Sequence, residues 1–227
     1  MRFTPDDELI RRARAVLTRR ERIYWVVGGA GSGKSTVCRA ISTRHKIALY
    51  DMDEHIYGSY HSRFTQGRHP VNKAWSAAPN GLAWLLSMSW QEFDSFNRAA
   101  IPEYLDLLVE DLESGDGGTS CLIDGGISNP AMLAQVMPVQ RIVGLVVPEI
   151  TSAMIWEEDQ ERKGMKEAVW ELPDREKLWD RFLEFDARIT ETVVTECVES
   201  GIAVCSRVAS APVEDTASQI AHLLGLE

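Results

Sequence analysis

Residues 28 to 36 read Gly28-Gly29-Ala30-Gly31-Ser32-Gly33-Lys34-Ser35-Thr36, the G-x-x-x-x-G-K-[ST] spacing of a phosphate-binding loop. Glycines at 28, 31 and 33 let the backbone curl until successive N–H groups face one anion, and the positive end of a following helix adds to that attraction. Lys34 then reaches the outer phosphates as a point charge, and the Ser35 hydroxyl ligates Mg²⁺. Carboxylates suited to the same chemistry follow two apolar runs: Asp51 and Asp53 after 47–50, and Asp124 after 120–123. Mg²⁺ prefers oxygen ligands and keeps several waters, so one or two carboxylates near Ser35 suffice to hold it. Transfer of a phosphoryl group to an alcohol also needs a residue that orients the hydroxyl and accepts its proton, and Asp53 is assigned that role. Asp51 and Asp53 equally suit a helix cap after a strand.

Elements that position these residues can be read from periodicity. The β-favouring run 23–27 precedes the loop, and Val37, Ala40 and Ile41 follow it at helical spacing, so a helix runs to about His45. Ahead of them, Pro5-Asp6-Asp7-Glu8 opens a leading helix with the stripe Leu9, Ile10, Ala13, Val16 and Leu17. Its arginines, Arg11, Arg12 and Arg14, together with Arg19, Arg20 and Arg22, read as a solvated face. Strands are expected at 47–50, 120–124, 141–147 and 202–205, with Pro148 opening a helix after the fourth. A long helix is expected over about 174–199, ended by Ser200-Gly201, and a last one through Ala217, Ile220, Ala221 and Leu224. Short buried strands alternating with helices predict an α/β fold: one parallel sheet covered on both faces, with ligands at the carboxyl ends of its strands.

The stretch 55–118 is too long for one crossover and is rich in Trp and Phe, so it is read as a helical insertion. Ile101, Tyr104, Leu105, Leu108, Val109 and Leu112 form one face of a closing helix, with Glu103, Asp106, Glu110 and Asp111 opposite. Trp84, Leu85, Met88, Phe93 and Phe96 suggest further helix around Trp90, and Gly115-Asp116-Gly117-Gly118 is turn chemistry. The aromatic residues suit either the walls of a pocket or an ordinary core.

With 227 residues and a net charge of −10, the chain has ample length for a sizeable core and argues against a nucleic-acid or anionic-membrane partner. Cys38, Cys121, Cys197 and Cys205 lack C-x-x-C spacing and read as reduced, buried thiols, which fits the cytoplasm. His55, His61 and His69 are not spaced as zinc ligands. No apolar run approaches a membrane span, and the first residues lack the apolar core of a signal peptide. Monomer and homodimer are both left open.

The phosphate loop, Tyr50-Asp51-Met52-Asp53 and Leu122-Ile123-Asp124-Gly125-Gly126 together resemble the nucleoside monophosphate kinase-like branch of P-loop kinases, which includes adenylate, shikimate and gluconate kinases. The resemblance implies a three-layer α/β/α sandwich, strand order 2-3-1-4-5, with a core at 1–54 and 119–227, a lid at about 157–173, and 55–118 as the acceptor-binding part. It implies ATP as donor and Mg²⁺ as cofactor. Asp51 takes the place of the family's magnesium-assisting Asp, Asp53 that of its acceptor-binding Asp, and Asp124 serves magnesium with Ser35. Gly125 and Gly126 match the turn beside the acceptor, although the arginine of the nucleotide-kinase D-G-F-P-R pattern is missing. In the lid the resemblance offers Arg162, Lys163 and Lys166, with Arg181 as the arginine on the following helix and Arg175 as a second candidate. Ile155 stands where an adenine-stacking arginine is expected, leaving Trp156 to stack instead. Arg63, Arg68 and Arg98 are candidates for an anionic acceptor.

The expected activity is therefore an ATP- and Mg²⁺-dependent transfer to a hydroxyl or phosphate of a small molecule. The alternatives are a nucleoside monophosphate kinase and, from another class, a regulatory NTPase whose nucleotide state controls a partner. Lys34→Ala should abolish nucleotide binding in a calorimetric titration while leaving the circular dichroism spectrum unchanged. Undiminished ATP turnover in that variant would remove the basis of the reading.

Overall fold

The computed structural model describes residues 3–115, 120–158 and 162–226. Asp6 caps the leading helix α1 (Asp7–Leu17) by accepting from the amides of Glu8 and Leu9 at 2.8 and 3.2 Å. Then come β1 (Ile23–Val27), α2 (Lys34–His45) and β2 (Ala48–Asp51), followed by the insertion. After it the chain forms β3 (Cys121–Asp124). Helix α3 (Met52–Tyr57) leads into the insertion, which holds a 3₁₀ turn at Ser59–Ser62, α4 (Pro70–Ser76), α5 (Gly81–Leu86) and α6 (Trp90–Ser114). The remainder holds α7 (Pro130–Ala134), β4 (Ile142–Val146), a π-helical turn at Met154–Glu158, α8 (Lys163–Trp170), α9 (Arg175–Ser200), β5 (Ala203–Ser206) and α10 (Val213–Leu223).

Among the described residues the strands form one parallel sheet of five in the order β2-β3-β1-β4-β5, the order anticipated above. Side chains alternate across it. Ile23, Trp25, Val27, Cys121, Ile123 and Ile142 face a core shared with α1, α6, α7 and α9. Val26, Leu122, Val143, Leu145 and Cys205 face a second core, filled by α2 and α10. Parallel strands require crossovers, and the crossover helices cover both faces, which is why the strands are apolar on both sides. Cys38, Cys121, Cys197 and Cys205 are buried and free. Among the described residues no helix is long and apolar enough to cross a membrane.

Several local expectations need correction. Asp53 does not end a strand: β2 stops at Asp51, which caps α3, and Asp53 lies in the first turn of that helix. Pro148 opens a tight turn rather than a helix, with the Ile150 amide bonded to the Val147 carbonyl at 3.2 Å. Helix around Trp90 and the closing helix are one element, α6, started by a reciprocal capping box between Ser89 and Glu92. Beyond Gly115, the turn expected at 115–118 lies outside the described residues.

The acidic side of α6 has partners that its spacing does not show. Glu103 and Asp106 are 2% and 0% exposed, so this side is not solvated. Glu103 accepts from the amides of Val71 and Asn72 at 2.9 and 2.8 Å, holding the start of α4. Asp106 is met by Arg12 from α1, by Arg68 Nε at 2.5 Å and by His69 Nε2 at 3.1 Å. Arg63 spans Asp111 and Glu110 at 2.7 and 3.2 Å. Arg12 is therefore structural rather than part of a solvated face. Arg20 likewise donates to the Leu112 carbonyl at 2.6 Å. These bonds clamp the insertion loop and α1 to one side of α6, with Asp106 as their shared partner.

Burial alone would raise the Asp106 carboxyl, but the bonds from His69, Arg68 and Arg12 outweigh it and hold its pKa at about 2. Its folded value thus lies below the unfolded one, so the stabilisation is complete above pH 5 and is lost as the pH falls from about 4 through 2. It amounts to roughly 2 kcal/mol. Urea midpoints measured across that window should fall steeply in the wild type and more gently in Asp106→Asn. At pH 7 the Asn variant should be less stable by roughly 2 kcal/mol, the size of the pH-linked contribution, since Arg12 and Arg68 keep Glu113 and Glu110 as partners. Equal slopes would dismiss the ion-pair account.

Candidate functional site

At the carboxyl end of β1 the chain turns through residues 28–33 into α2. Gly33 occupies the N-cap position with φ +84°, a left-handed conformation natural to glycine, and supplies no side-chain hydrogen bond to the first turn. No acidic side chain lies in that turn. The N–H groups at the start of α2 are therefore left without a side-chain cap, at the positive end of the helix dipole. Residues 33–36 line a cleft of about 440 Å³ together with Gly28, Gly29, Ala30 and Gly31. Ser32 is buried beneath the loop, and its hydroxyl donates to the Gly29 carbonyl at 2.9 Å. Lys34 Nζ donates to the same carbonyl at 3.1 Å.

Strand register brings the carboxylates to this end. Asp51 pairs in register with Asp124 across β2 and β3, and Asp124 pairs with Val26 of β1. The next peptide is fixed by β1 from both sides: the Gly125 amide donates to the Val26 carbonyl at 3.0 Å, and Trp25 Nε1 donates to the Gly125 carbonyl at 2.9 Å. Gly125 has φ +68°, and a Cβ there would lie 2.4 Å from Asp53 Oδ2. The turn thus accepts only glycine and sets Asp53 against its backbone, where the Gly126 amide also bonds the carboxylate.

The electrostatics are unbalanced. Burial raises the Asp124 carboxyl; a bond from Ser35 and the Lys34 charge oppose this, while Asp51 adds to it. Asp53, at the open side of the cleft but walled by protein behind, is also raised by its surroundings, pulled down by Lys34 and pushed up by Asp124 and Asp51. One lysine serves three carboxylates. Asp124 Oδ1 is buried without a hydrogen-bond partner. Burial and the nearby Asp124 charge keep the Cys38 thiol protonated, so it serves as a neutral neighbour rather than a nucleophile.

No family model matches the chain, and no curated protein matches it. The site is therefore judged on its own geometry.

The structure gathers some of the sequence candidates and separates others. Gly28 to Gly31, Gly33 to Thr36, Asp53, Gly126 and Arg162 line one cleft. Asp51, Asp124 and Gly125 lie behind it in the strand ends. Arg63 and Arg68 do not line it, since both are committed to Glu110, Asp111 and Asp106. Arg98 pairs with Asp94 and Glu196 at 2.8 and 2.5 Å. Arg181 also lies away from the cleft, donating to the Leu86 carbonyl at 2.7 Å and so tying α5 to α9. Lys166 pairs with Glu157 at 3.6 Å and lies over Trp170 and Trp179. Arg175 is exposed at the start of α9. Arg162, at the start of α8, lies over the Trp156 ring at 5.2 Å, and both border the cleft. Ile155 covers Gly31 of the loop.

Sequence reading missed Asn97, Tyr57, Ser128 and Arg207. Asn97 sits with Phe93, Ile101 and Tyr104 on the cleft-facing side of α6. A polar residue on an apolar stripe was the available signal. Tyr57 is 69% exposed at the cleft border, and Arg207, just after β5, brings Nη1 against the loop at Gly33.

Gly125→Ala should cost about 1–2 kcal/mol from the left-handed backbone alone. The Asp53 clash adds to it, so chemical denaturation should show a loss at or above that range. A variant as stable as the wild type would refute the packing of carboxylate on turn.

Proposed function

We propose that this chain is an ATP- and Mg²⁺-dependent phosphotransferase acting on a small molecule. The observation that carries the reading is the uncapped start of α2 beside Lys34 in a cleft whose floor holds an excess of carboxylate. A polyphosphate satisfies the helix amides and the lysine, and a divalent cation satisfies the carboxylates.

Among the described residues no group of three or more His, Cys, Asp or Glu side chains is arranged as a metal centre. This accords with a hard cation held mainly by phosphate and water, to which the protein adds one or two oxygens. The unpartnered Asp124 Oδ1 and the Ser35 hydroxyl fit that role, and Asp51 adds charge from the neighbouring strand. Bound there, the cation would neutralise charge on the transferring phosphoryl group. The loop amides and Lys34 hold the donor's phosphates in place. Asp53 orients the acceptor hydroxyl and takes its proton as the oxygen–phosphorus bond forms and the bond to the ADP leaving group breaks. Arg162 approaches from the lid side, carried on Trp156.

A nucleoside monophosphate acceptor is less well supported, because Arg63, Arg68 and Arg98 already have carboxylate partners. For the regulatory NTPase, the cleft offers more than a switch requires: its α6 wall extends well past the phosphate loop.

ADP release measured with and without a metabolite pool tests the reading. Turnover should depend on the acceptor, and Asp53→Ala should lower that dependent rate by about 10²–10⁴-fold. Nucleotide affinity should change little. Acceptor-independent turnover unaffected by Asp53→Ala would overturn the assignment in favour of the NTPase.

A further inference from the structure

The cleft has a second wall, built from α3 and α6, and apart from Asp53 its polar groups have no part in the transfer described above. On α3, Asp53 and Tyr57 stand one helical turn apart, and both line the cleft. On α6, Phe93, Asn97, Ile101 and Tyr104 recur at helical spacing and line it from one face. The charge of Asp53 reaches the phenols of both Tyr57 and Tyr104, which groups the three side chains together.

Nothing in the packing accounts for Asn97. Asparagine is a weak helix former, and position 97 lies inside a helix of 25 residues, on the stripe of Phe93, Ile101 and Tyr104. Its polar neighbours on α6 are bonded within the protein. Asp94 accepts from Asn129 Nδ2 at 3.0 Å and from Arg98 Nε at 2.8 Å, and the Ser95 hydroxyl donates to the Phe3 carbonyl at 3.0 Å. Among the described residues the Asn97 carboxamide forms no hydrogen bond, and neither do the hydroxyls of Tyr57 and Tyr104. Asn97 is nevertheless open to the cleft, being half-buried rather than sealed in protein, and Tyr57 stands well exposed beside it.

Neutral groups with open hydrogen-bonding capacity match neutral polar groups on a ligand. A carboxamide donates and accepts, and so does a phenol. The charged side chains that line this cleft are Lys34, Asp53 and Arg162, with Asp51 and Asp124 in the strand ends behind. On the reading above Lys34 and Arg162 serve the donor's phosphates, so an anionic acceptor would face the carboxylates without a cation of its own. A cationic acceptor would pair with Asp53 and withhold it from the hydroxyl proton. His61 and Asp186 border the adjoining groove and not this cleft, so neither alters the balance at Asn97. Ile56, Phe93, Ile101 and Trp75 make the remaining wall apolar, and Trp75 meets the Tyr57 ring edge-on at 5.9 Å. An exposed aromatic face in such a wall suits a flat ring.

We infer that Asn97 determines specificity for the phosphoryl acceptor, an uncharged ring-bearing diol with one hydroxyl at Asp53 and the other bonded to the Asn97 carboxamide. The inference rests on the phosphotransferase reading. The first hydroxyl gives its proton to Asp53 as its oxygen bonds to the γ-phosphorus, the β–γ bridging bond breaks and ADP leaves. The second takes no part in the bond changes and fixes the orientation of the first.

Calorimetric titrations of the protein loaded with a non-hydrolysable ATP analogue test this with four probes that share one ring: 1-phenyl-1,2-ethanediol, 1-phenylethanol, mandelate and 2-amino-2-phenylethanol. The diol should bind about fivefold more tightly than 1-phenylethanol, the effect of one hydrogen bond, and about tenfold more tightly than mandelate. It should also bind more tightly than the amino-alcohol. Asn97→Leu should bring the diol down to the affinity of 1-phenylethanol. The same variant should leave 1-phenylethanol, the ATP analogue and the thermal midpoint unchanged, whereas loss of a merely structural residue would shift all of them. A diol preference that survives Asn97→Leu would overturn the role of that residue. Mandelate or the amino-alcohol binding as tightly as the diol, or no probe binding to the loaded protein, would overturn the acceptor class and leave the phosphotransferase reading standing. Binding of the diol by a protein that binds no ATP analogue would instead overturn the phosphotransferase reading, and with it the description of the diol as an acceptor.

Discussion

Everything in this molecule that suggests chemistry depends on one electrostatic arrangement: a helix that begins without a side-chain cap, set where Asp51 and Asp124 at the strand ends and Asp53 in the first turn of α3 gather around Lys34. Neither half is comfortable alone. Uncapped amides favour an anion, and crowded carboxylates favour a cation. A ligand that brings phosphate oxygens to the helix and a divalent ion to the strands resolves both at once. The fold holds the two halves in register because β1 lies between β3 and β4, so the strand that feeds the loop also hydrogen-bonds the turn after Asp124. Trp25 reinforces this from within the core by binding the Gly125 carbonyl.

Helix α6 carries the second half of the design. One side meets α1 and the insertion loop through Asp106, Glu110 and Asp111, and another side lines the cleft through Phe93, Asn97, Ile101 and Tyr104. Stability and site geometry are thus written on the same helix at different angular positions. A buried carboxylate such as Asp106 contributes little net stability over a well-packed apolar residue, but removing its partners would leave an isolated charge. Its effect is to fix where the insertion lies, and so to fix the wall opposite the phosphate loop. The insertion also shares the core of the sheet, since Trp75, Met88 and Phe96 pack in one cluster with Trp25 and Ile123.

The sheet and the loop were legible in the sequence because they rest on local signals. Short β-branched runs, a glycine spacing and helical stripes depend on neighbours a few residues away. The strand order agreed with the resemblance. What could not be read were the partners of charged residues: Arg12 meets a carboxylate 94 positions away and Arg98 one 98 positions away. A charged residue on a helix surface has the same local pattern whether water or a distant arginine meets it, so the spacing of the α6 acids gave their side of the helix but not what meets them. Asp53 was misplaced by a single turn, since a strand ending and a helix starting within three residues present the same apolar-acidic pattern.

The two ends of the cleft are joined by a side chain that sequence reasoning named for another purpose. Trp156 borders both the phosphate cleft and an adjoining apolar groove lined by Leu82, Met165 and Phe182, packs edge-on to Phe182 at 4.9 Å, and carries the Arg162 guanidinium over its ring. It lies in a π turn whose preceding residue, Ile155, rests against Gly31 of the loop. A wider helical turn places consecutive side chains differently from an α-helix, here sending Ile155 to the loop and Trp156 to the groove. On the phosphotransferase reading proposed above, any shift of that indole is passed to the Arg162 guanidinium stacked on it, which would bear on the charge that develops during transfer.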